Sequence, residues 1–211
     1  EYGARREDFA KLCIAQRDNA QATPHAMMKR PLTLDQYMTA RPIADPLCLF
    51  DCVMPCAGAE AFLVMSYDRA KLLGLASASI LSTIERHNAF PDDPIQIRAG
   101  WAMDREAFYA HAGVGPDDLD FLQAYDDYPV ICFIQIEDLG FCDKGEAAAF
   151  VQEHDLTTEG NFPVNTSGGQ LSVGQAGAAG GSLGLVEAIR QLTDQCLDRA
   201  VKNARIGAAS C

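Results

Sequence analysis

Apolar positions along the chain follow two periods. In residues 6–21, REDFAKLCIAQRDNAQ, the side chains of Phe9, Leu12, Cys13 and Ala15 recur at helical spacing, and the following ATPHAMMKRPLT carries two prolines that break the pattern. LTLDQYMTARPIADP predicts a short helix closed by Pro42 and Pro46. The first 58 residues therefore read as a helix followed by an irregular cover. From residue 59 the signals alternate. AEAFLVMS (59–66) predicts a buried strand, YDRAKLLG a short helix, and ASASILSTIER (76–86) a strand of alternating small and large residues. RAGWAMDREAFYAHA (98–112) predicts a helix stopped by Gly113 and Gly115. PDDLDFLQAY (116–125) reads as a turn and a strand, while YPVICFIQIEDLG (128–140) is apolar enough for either element and is assigned to a helix. KGEAAAFVQEH (144–154) and GLVEAIRQLTDQCLDRAV (184–201) predict two more helices, and ARIGAAS (204–210) a last strand. Strands alternating with helices imply right-handed crossovers and a layered α/β architecture.

Composition sets the scale. At 211 residues and 48% hydrophobic, such a chain buries about 70% of its unfolded surface, enough for one sizeable core or one large domain with an appendage. No apolar run approaches the roughly 18 residues of a membrane span. The start, EYGARREDFA, has neither an apolar leader region nor an initiator Met, so a soluble fragment or processed piece of a longer protein is expected. The eight cysteines, at positions 13, 48, 52, 56, 132, 142, 196 and 211, sit in apolar sequence, which suits a reducing cytoplasm. Cys48, Cys52 and Cys56 are spaced C-x3-C-x3-C with no second ligand pair, so they read as structural thiols and no metal is expected. His25, His87, His111 and His154 form no ligand pair and read as surface or helix-end residues.

The net charge of −12 is uneven. Residues 1–43 hold seven basic and five acidic side chains, leaving −14 on residues 44–211. Nucleic-acid binding is not expected, because phosphate affinity needs a broad basic surface. Lys29 and Arg30 in MMKRP are the candidates for a small anionic ligand, with an ordinary solvated surface as the alternative.

One stretch offers almost no chemistry and almost no bulk. Residues 165–181, NTSGGQLSVGQAGAAGG, lie between a strand-like segment and a strong helix, and residues 165–184 include seven glycines. No Lys-Ser/Thr follows the glycines, and the spacing of Gly174, Gly177 and Gly180 is not G-x-G-x-x-G, so a phosphate loop is not expected. A helix loses roughly 1 kcal/mol per interior Gly relative to Ala, so close backbone approach and burial must offset the composition.

VNTSGGQLSVGQAGAAGG (164–181) resembles the C-terminal signature of the thiolase superfamily, V-N-P-S-G-G-x-L-x-x-G-H-P-x-G-A-x-G, without a gap. GVGPDDLDFLQAYDDYP is similar to the earlier thiolase segment that ends in N-E-A-F or H-D-C-F, and EDLGFCDKGEAAAFV between them also looks like the family. The resemblance covers nearly the whole chain, as the second half of a thiolase. It implies a layered α/β fold, a mixed sheet with helices on both faces, plus the helical and irregular cover. Residues 1–58 would be the end of the first half and its loop region, and residues 59–211 the C-terminal domain. The half bearing the usual nucleophilic Cys lies outside this sequence, and Cys211 stands near where the family has its second catalytic Cys.

The departures redirect the chemistry. Where thiolases carry the His of G-H-P, this chain has Gln175, an amide that does not titrate and cannot take a proton from a thiol. A general base is typically worth 10²–10⁴ in rate, so thiolytic Claisen chemistry is disfavoured. Tyr125 stands where N-E-A-F has its Asn, followed by Asp126, Asp127 and Tyr128. YDDYP with GQAGAAGG resembles the lipid-transfer-protein-like branch, which includes aldolases that cleave steroid side-chain acyl-CoAs beside a small acyl-CoA-binding OB-fold partner. The resemblance thus implies retro-aldol cleavage of a β-hydroxyacyl-CoA, with acyltransfer or non-catalytic acyl-CoA and lipid transfer as alternatives. It implies a homodimer and no cofactor beyond the coenzyme A of the substrate. Tyr125 and Gln175 are the leading catalytic candidates, with Asp126 and Tyr128 beside them. Asn165, Ser167, Gly168, Gly169 and Gly174 are candidates for holding the acyl-pantetheine arm. The structural alternatives are packing aromatics for the tyrosines, N-caps of the following helix for Asp126 and Asp127, and turn-forming hydrogen bonds for Asn165 and Ser167. Trp101, the single Trp, reads as core.

Overall fold

The computed structural model describes residues 2–210; Cys211 lies outside the described residues. In chain order the elements are α1 (Arg6–Gln21), α2 (Leu34–Met38), β1 (Pro42–Ala44), β2 (Leu47–Cys48), α3 (Tyr67–Leu72), α4 (Gly100–Ala112), β3 (Phe121–Gln123), α5 (Pro129–Asp138), α6 (Ala147–Glu153), α7 (Gly169–Val173), α8 (Gly180–Leu192) and β4 (Gly207–Ala209).

Local chemistry accounts for several of the helix ends. In the first turn of α1 the Asp8 carboxylate accepts the Arg5 N–H at 2.7 Å, and Glu7 and Asp8 favour the positive end of the helix dipole. Thr33 and Gln36 form a reciprocal cap on α2. Gly113, at φ +72°, closes α4 as its spacing predicted. Pro129 opens α5, where a missing N–H costs nothing.

β3 and β4 are the centre of the layering. They pair in parallel, Phe121 with Gly207 through Gln123 with Ala209, and Leu122 also bridges in parallel to Val164. Successive strand residues face opposite ways. Leu122 points into the main core, with Leu12 and Ala15 of α1 and Cys132, Phe133 and Ile136 of α5. The neighbouring Gln123 faces α8, whose Gly184 lies against it. The result is α1 and α5, then strands, then α8, a thiolase-like α/β layering. Trp101 packs on the margin of the same core.

α1 is buried far beyond the apolar stripe expected for it. Gln16, Arg17 and Asn19 are buried alongside Ala10, Leu12 and Cys13, because the chain packs around this helix on several sides.

Several elements differ from expectation. Residues 59–66 and 76–86 form no strand; Leu63 is 83% exposed and Ile80 70%. An apolar alternation specifies a face to be covered, whereas a strand exists only when another backbone takes up its N–H and C=O groups, and none does so among the described residues. The segment after α2 is a short antiparallel hairpin, β1 with β2, rather than an irregular cover. The helix expected over 184–201 starts earlier, at Gly180, and stops at Leu192, because Asp194 and Leu197 take positive φ values that turn the chain. α7 inside the glycine-rich stretch was not anticipated, since its five residues carry no readable period. Among the described residues no helix is long and apolar enough to cross a membrane.

Candidate functional site

Tyr125 follows β3 directly and is fixed through its backbone. Gln135 of α5, fully buried, accepts the Tyr125 N–H at 2.9 Å and donates to the Tyr125 carbonyl at 2.7 Å. Ser210, just past β4, accepts the same N–H at 3.2 Å and is hydrogen-bonded to Gln135. A single side-chain amide thus occupies both backbone polar groups of Tyr125, which fixes the backbone from which its ring projects.

Gln175 reaches the same place from the glycine-rich stretch. Its N–H donates to the Met54 carbonyl and its carbonyl accepts the Cys56 N–H, both at 2.9 Å, across a parallel bridge to Pro55. Its side-chain Nε2 lies 3.4 Å from the Tyr125 hydroxyl and donates to the Asp127 carboxylate. Tyr125, Gln175 and Asp127 therefore form one half-buried cluster. Burial first, and then the Asp127 carboxylate beside it, push the Tyr125 hydroxyl above its ordinary pKa. A tyrosine so placed is a proton donor at neutral pH rather than a base.

Asp126 points the other way. It is 2% exposed, and its two oxygens accept the Gln170 N–H at 2.9 Å, the Leu171 N–H at 3.1 Å and the Gln16 side chain at 3.0 Å. It caps the N-terminus of α7, not that of α5 as its position before that helix predicted, because the chain bends between Asp126 and Pro129. Burial raises its carboxyl to about 6 despite these donors. Tyr128 is 38% exposed at the head of α5, and its hydroxyl bonds no described side chain.

The glycines mostly face protein. A side chain at Gly168 would strike Ala20 of α1, and one at Gly174 would strike the sulfurs of Cys56 and Met27. Gly169, at φ +61°, sits against Asp126 and lets the chain turn into α7 beneath that carboxylate. Asn165 and Ser167 are both buried: the Asn165 side chain accepts the Ala124 N–H at 2.7 Å, and the Ser167 carbonyl accepts the Thr23 hydroxyl at 2.7 Å. With Tyr125, Gln170 and Gly180 they line a cavity of about 10 Å³, room for one water. Two polar atoms beside it, Asn165 Nδ2 and Gln170 Oε1, have no partner among the described residues. Lys29 and Arg30 are exposed, and the Lys29 ammonium bonds the Pro24 carbonyl at 2.6 Å; the structure does not bring them to the Tyr125 cluster.

Four contributors escaped sequence reasoning: Gln135, Ser210, the 54–56 segment, and the buried polar face of α1. Gln135 alone left a trace, as a lone amide inside the apolar run VICFIQIED.

The chain belongs to the Thiolase C-terminal domain-like family, which matches residues 88–211. It is 34% identical over 198 residues to the steroid side-chain-cleaving aldolase of Thermomonospora curvata, an alignment spanning 90% of this chain and 50% of that protein. It is 32% identical to the acetyl-CoA acetyltransferase of Methanothermobacter thermautotrophicus, over 98% of this chain and 55% of that protein. Among solved structures, a chain of the Ltp2-ChsH2(DUF35) aldolase superimposes with a TM-score of 0.80 at 24% identity, covering all of this chain and 56% of its own, a likeness of fold. The chain spans about half the length of the curated relatives it matches.

Proposed function

We propose that the protein containing this chain cleaves a carbon–carbon bond in a β-hydroxyacyl-CoA by retro-aldol chemistry, a steroid side chain being the substrate class in view. The observation that carries the reading is the Tyr125 hydroxyl within 3.4 Å of a non-titrating amide, Gln175 Nε2, where a thiol-activating base would otherwise stand. The substrate hydroxyl gives up its proton as the adjacent carbon–carbon bond breaks. The bond pair passes into the thioester as an enolate, and the β-carbon leaves as a carbonyl. Gln175 supplies an N–H to the enolate oxygen, and Tyr125 protonates the α-carbon. Asp127 is the nearby carboxylate with capacity to accept the hydroxyl proton, since the oxygens of Asp126 are taken by Gln170, Leu171 and Gln16. No redox step and no cofactor beyond the coenzyme A of the substrate is called for.

The likeness to an aldolase supports this reading; the similar identity to an acetyltransferase keeps acyltransfer as the second. Residues 1–58 serve in it as the end of the first half and its cover, and residues 59–211 as the C-terminal domain. A homodimer, an OB-fold acyl-CoA-binding partner and a cytoplasmic location complete the proposal. Incubating the full-length protein with a β-hydroxyacyl-CoA and following the released ketone tests it: Tyr125→Phe is expected to lose 10²–10⁴ in kcat. Undiminished turnover in that variant, or product formation only with free coenzyme A, defeats the reading.

A further inference from the structure

A second cavity, sharing no lining residue with the one beside Tyr125, lies against the 53–54 segment. It has a volume of about 220 Å³ and is walled by Met28, Leu49, Phe50, Val53 and Leu171. The cation on its wall is Arg17, which is 6% exposed and has no carboxylate within ion-pair distance among the described residues. Its Nε donates to the Ser172 hydroxyl at 3.2 Å and its Nη1 to the Arg30 carbonyl at 3.4 Å, with the guanidinium 5.6 Å from the Phe50 ring centre. Nη2 bonds no protein atom among the described residues. A buried guanidinium without an anion is costly, because the water it has left is replaced only by neutral acceptors. The shape that repairs this is a planar carboxylate, which a guanidinium grips through paired N–H groups.

We infer that this cavity binds a carboxylate carried on a short aliphatic chain, the carboxylate on Arg17 and the chain among the apolar walls. A cavity of about 150 Å³ holds one benzene ring, so this one admits a chain of roughly six to eight carbons and excludes a steroid nucleus. The carboxylate has two sources, a free carboxylic acid or the far end of a dicarboxylic acyl thioester. The site is separate from the Tyr125 chemistry and is read by binding alone, so turnover and occupancy stand or fall independently.

Calorimetric titration of the full-length protein with octanoate and with 1-octanol tests the site. Octanoate is expected to bind at least about tenfold more tightly, the value of a hydrogen bond to a charged group. Val53→Trp, which fills the cavity and leaves Arg17 in place, is expected to abolish octanoate binding, whereas Arg17→Met also removes the bonds to Ser172 and Arg30. Equal affinity for acid and alcohol, no binding of octanoate, or full affinity in Val53→Trp overturns the inference. Suberyl-CoA binding tenfold better than octanoyl-CoA assigns the carboxylate to a thioester. Equal binding of the two thioesters, with octanoate still bound, assigns it to a free acid.

Discussion

The Asp126 carboxylate accepts the backbone N–H of Gln170 at 2.9 Å, so the first turn of α7 is held by a residue 44 positions earlier in the chain. That carboxylate is buried and its pKa stands at about 6, above the ordinary value near 3.9. Between about pH 4 and pH 6 the folded protein keeps a proton that the unfolded chain has released. Stability from this group is therefore full below pH 4 and is lost as pH rises to 6, by roughly 3 kcal/mol. Urea midpoints measured across that range are expected to show the decline in the wild type and not in Asp126→Asn, which has nothing to titrate.

Asp127 raises the pKa of Tyr125, second only to burial. The phenol therefore holds its proton more tightly than an ordinary tyrosine does. Asp127→Asn removes the negative charge and is expected to move the tyrosinate transition downward. Difference titrations of tyrosinate absorbance against Tyr125→Phe report it. An unmoved transition means that Asp127 does not act on the phenol.

Two glycines with nearly the same backbone angle separate conformational strain from crowding. Gly169 has φ +61° and Gly177 φ +56°, but a side chain at Gly177 meets open space whereas one at Gly169 runs into Asp126 and Asn165. Gly177→Ala is expected to cost about 1–2 kcal/mol, the left-handed penalty alone. Gly169→Ala adds about 1–3 kcal/mol of overpacking. Equal denaturant midpoints for the two variants would contradict the packing described for Gly169.

Behind the glycine-rich stretch lies a buried ion pair. Arg199 Nη2 meets Glu187 at 3.0 Å with both side chains nearly inaccessible, and Glu187 also accepts from Thr166 and Gln191. Arg199→Met takes away the close cation of that carboxylate, leaving Arg190 at 4.0 Å, and is expected to cost about 3 kcal/mol in thermal or chemical unfolding.

The local elements were legible where residue pattern and capping agree. α1, α4 and α5 were legible as helices from their apolar patterns, α4 with its closing Gly113, and β3 and β4 appeared as short apolar runs. Tyr125 and Gln175 were legible as the positions where the chain departs from the family pattern, and the structure brings their side chains together. Gln16, Asn19 and Gln135 were not legible as supports. A buried amide is chosen by partners far along the chain, such as the Val164 carbonyl for Asn19 at 3.2 Å, and no periodicity announces it. The strand patterns at 59–66 and 76–86 show the opposite case, a clear local signal with no backbone among the described residues to answer it.

By itself the sequence determined that α1, α4 and α5 coil and that an amide stands at position 175 where the family carries a titrating base, because those properties reside in single residues and their spacing. Only the tertiary structure decided that Gln175 is clasped by residues 54–56, that Asp126 caps α7 instead of the helix next to it, and that Arg17 faces a cavity and pairs with no carboxylate among the described residues. Those outcomes depend on which groups lose water together, and that is settled when distant segments pack.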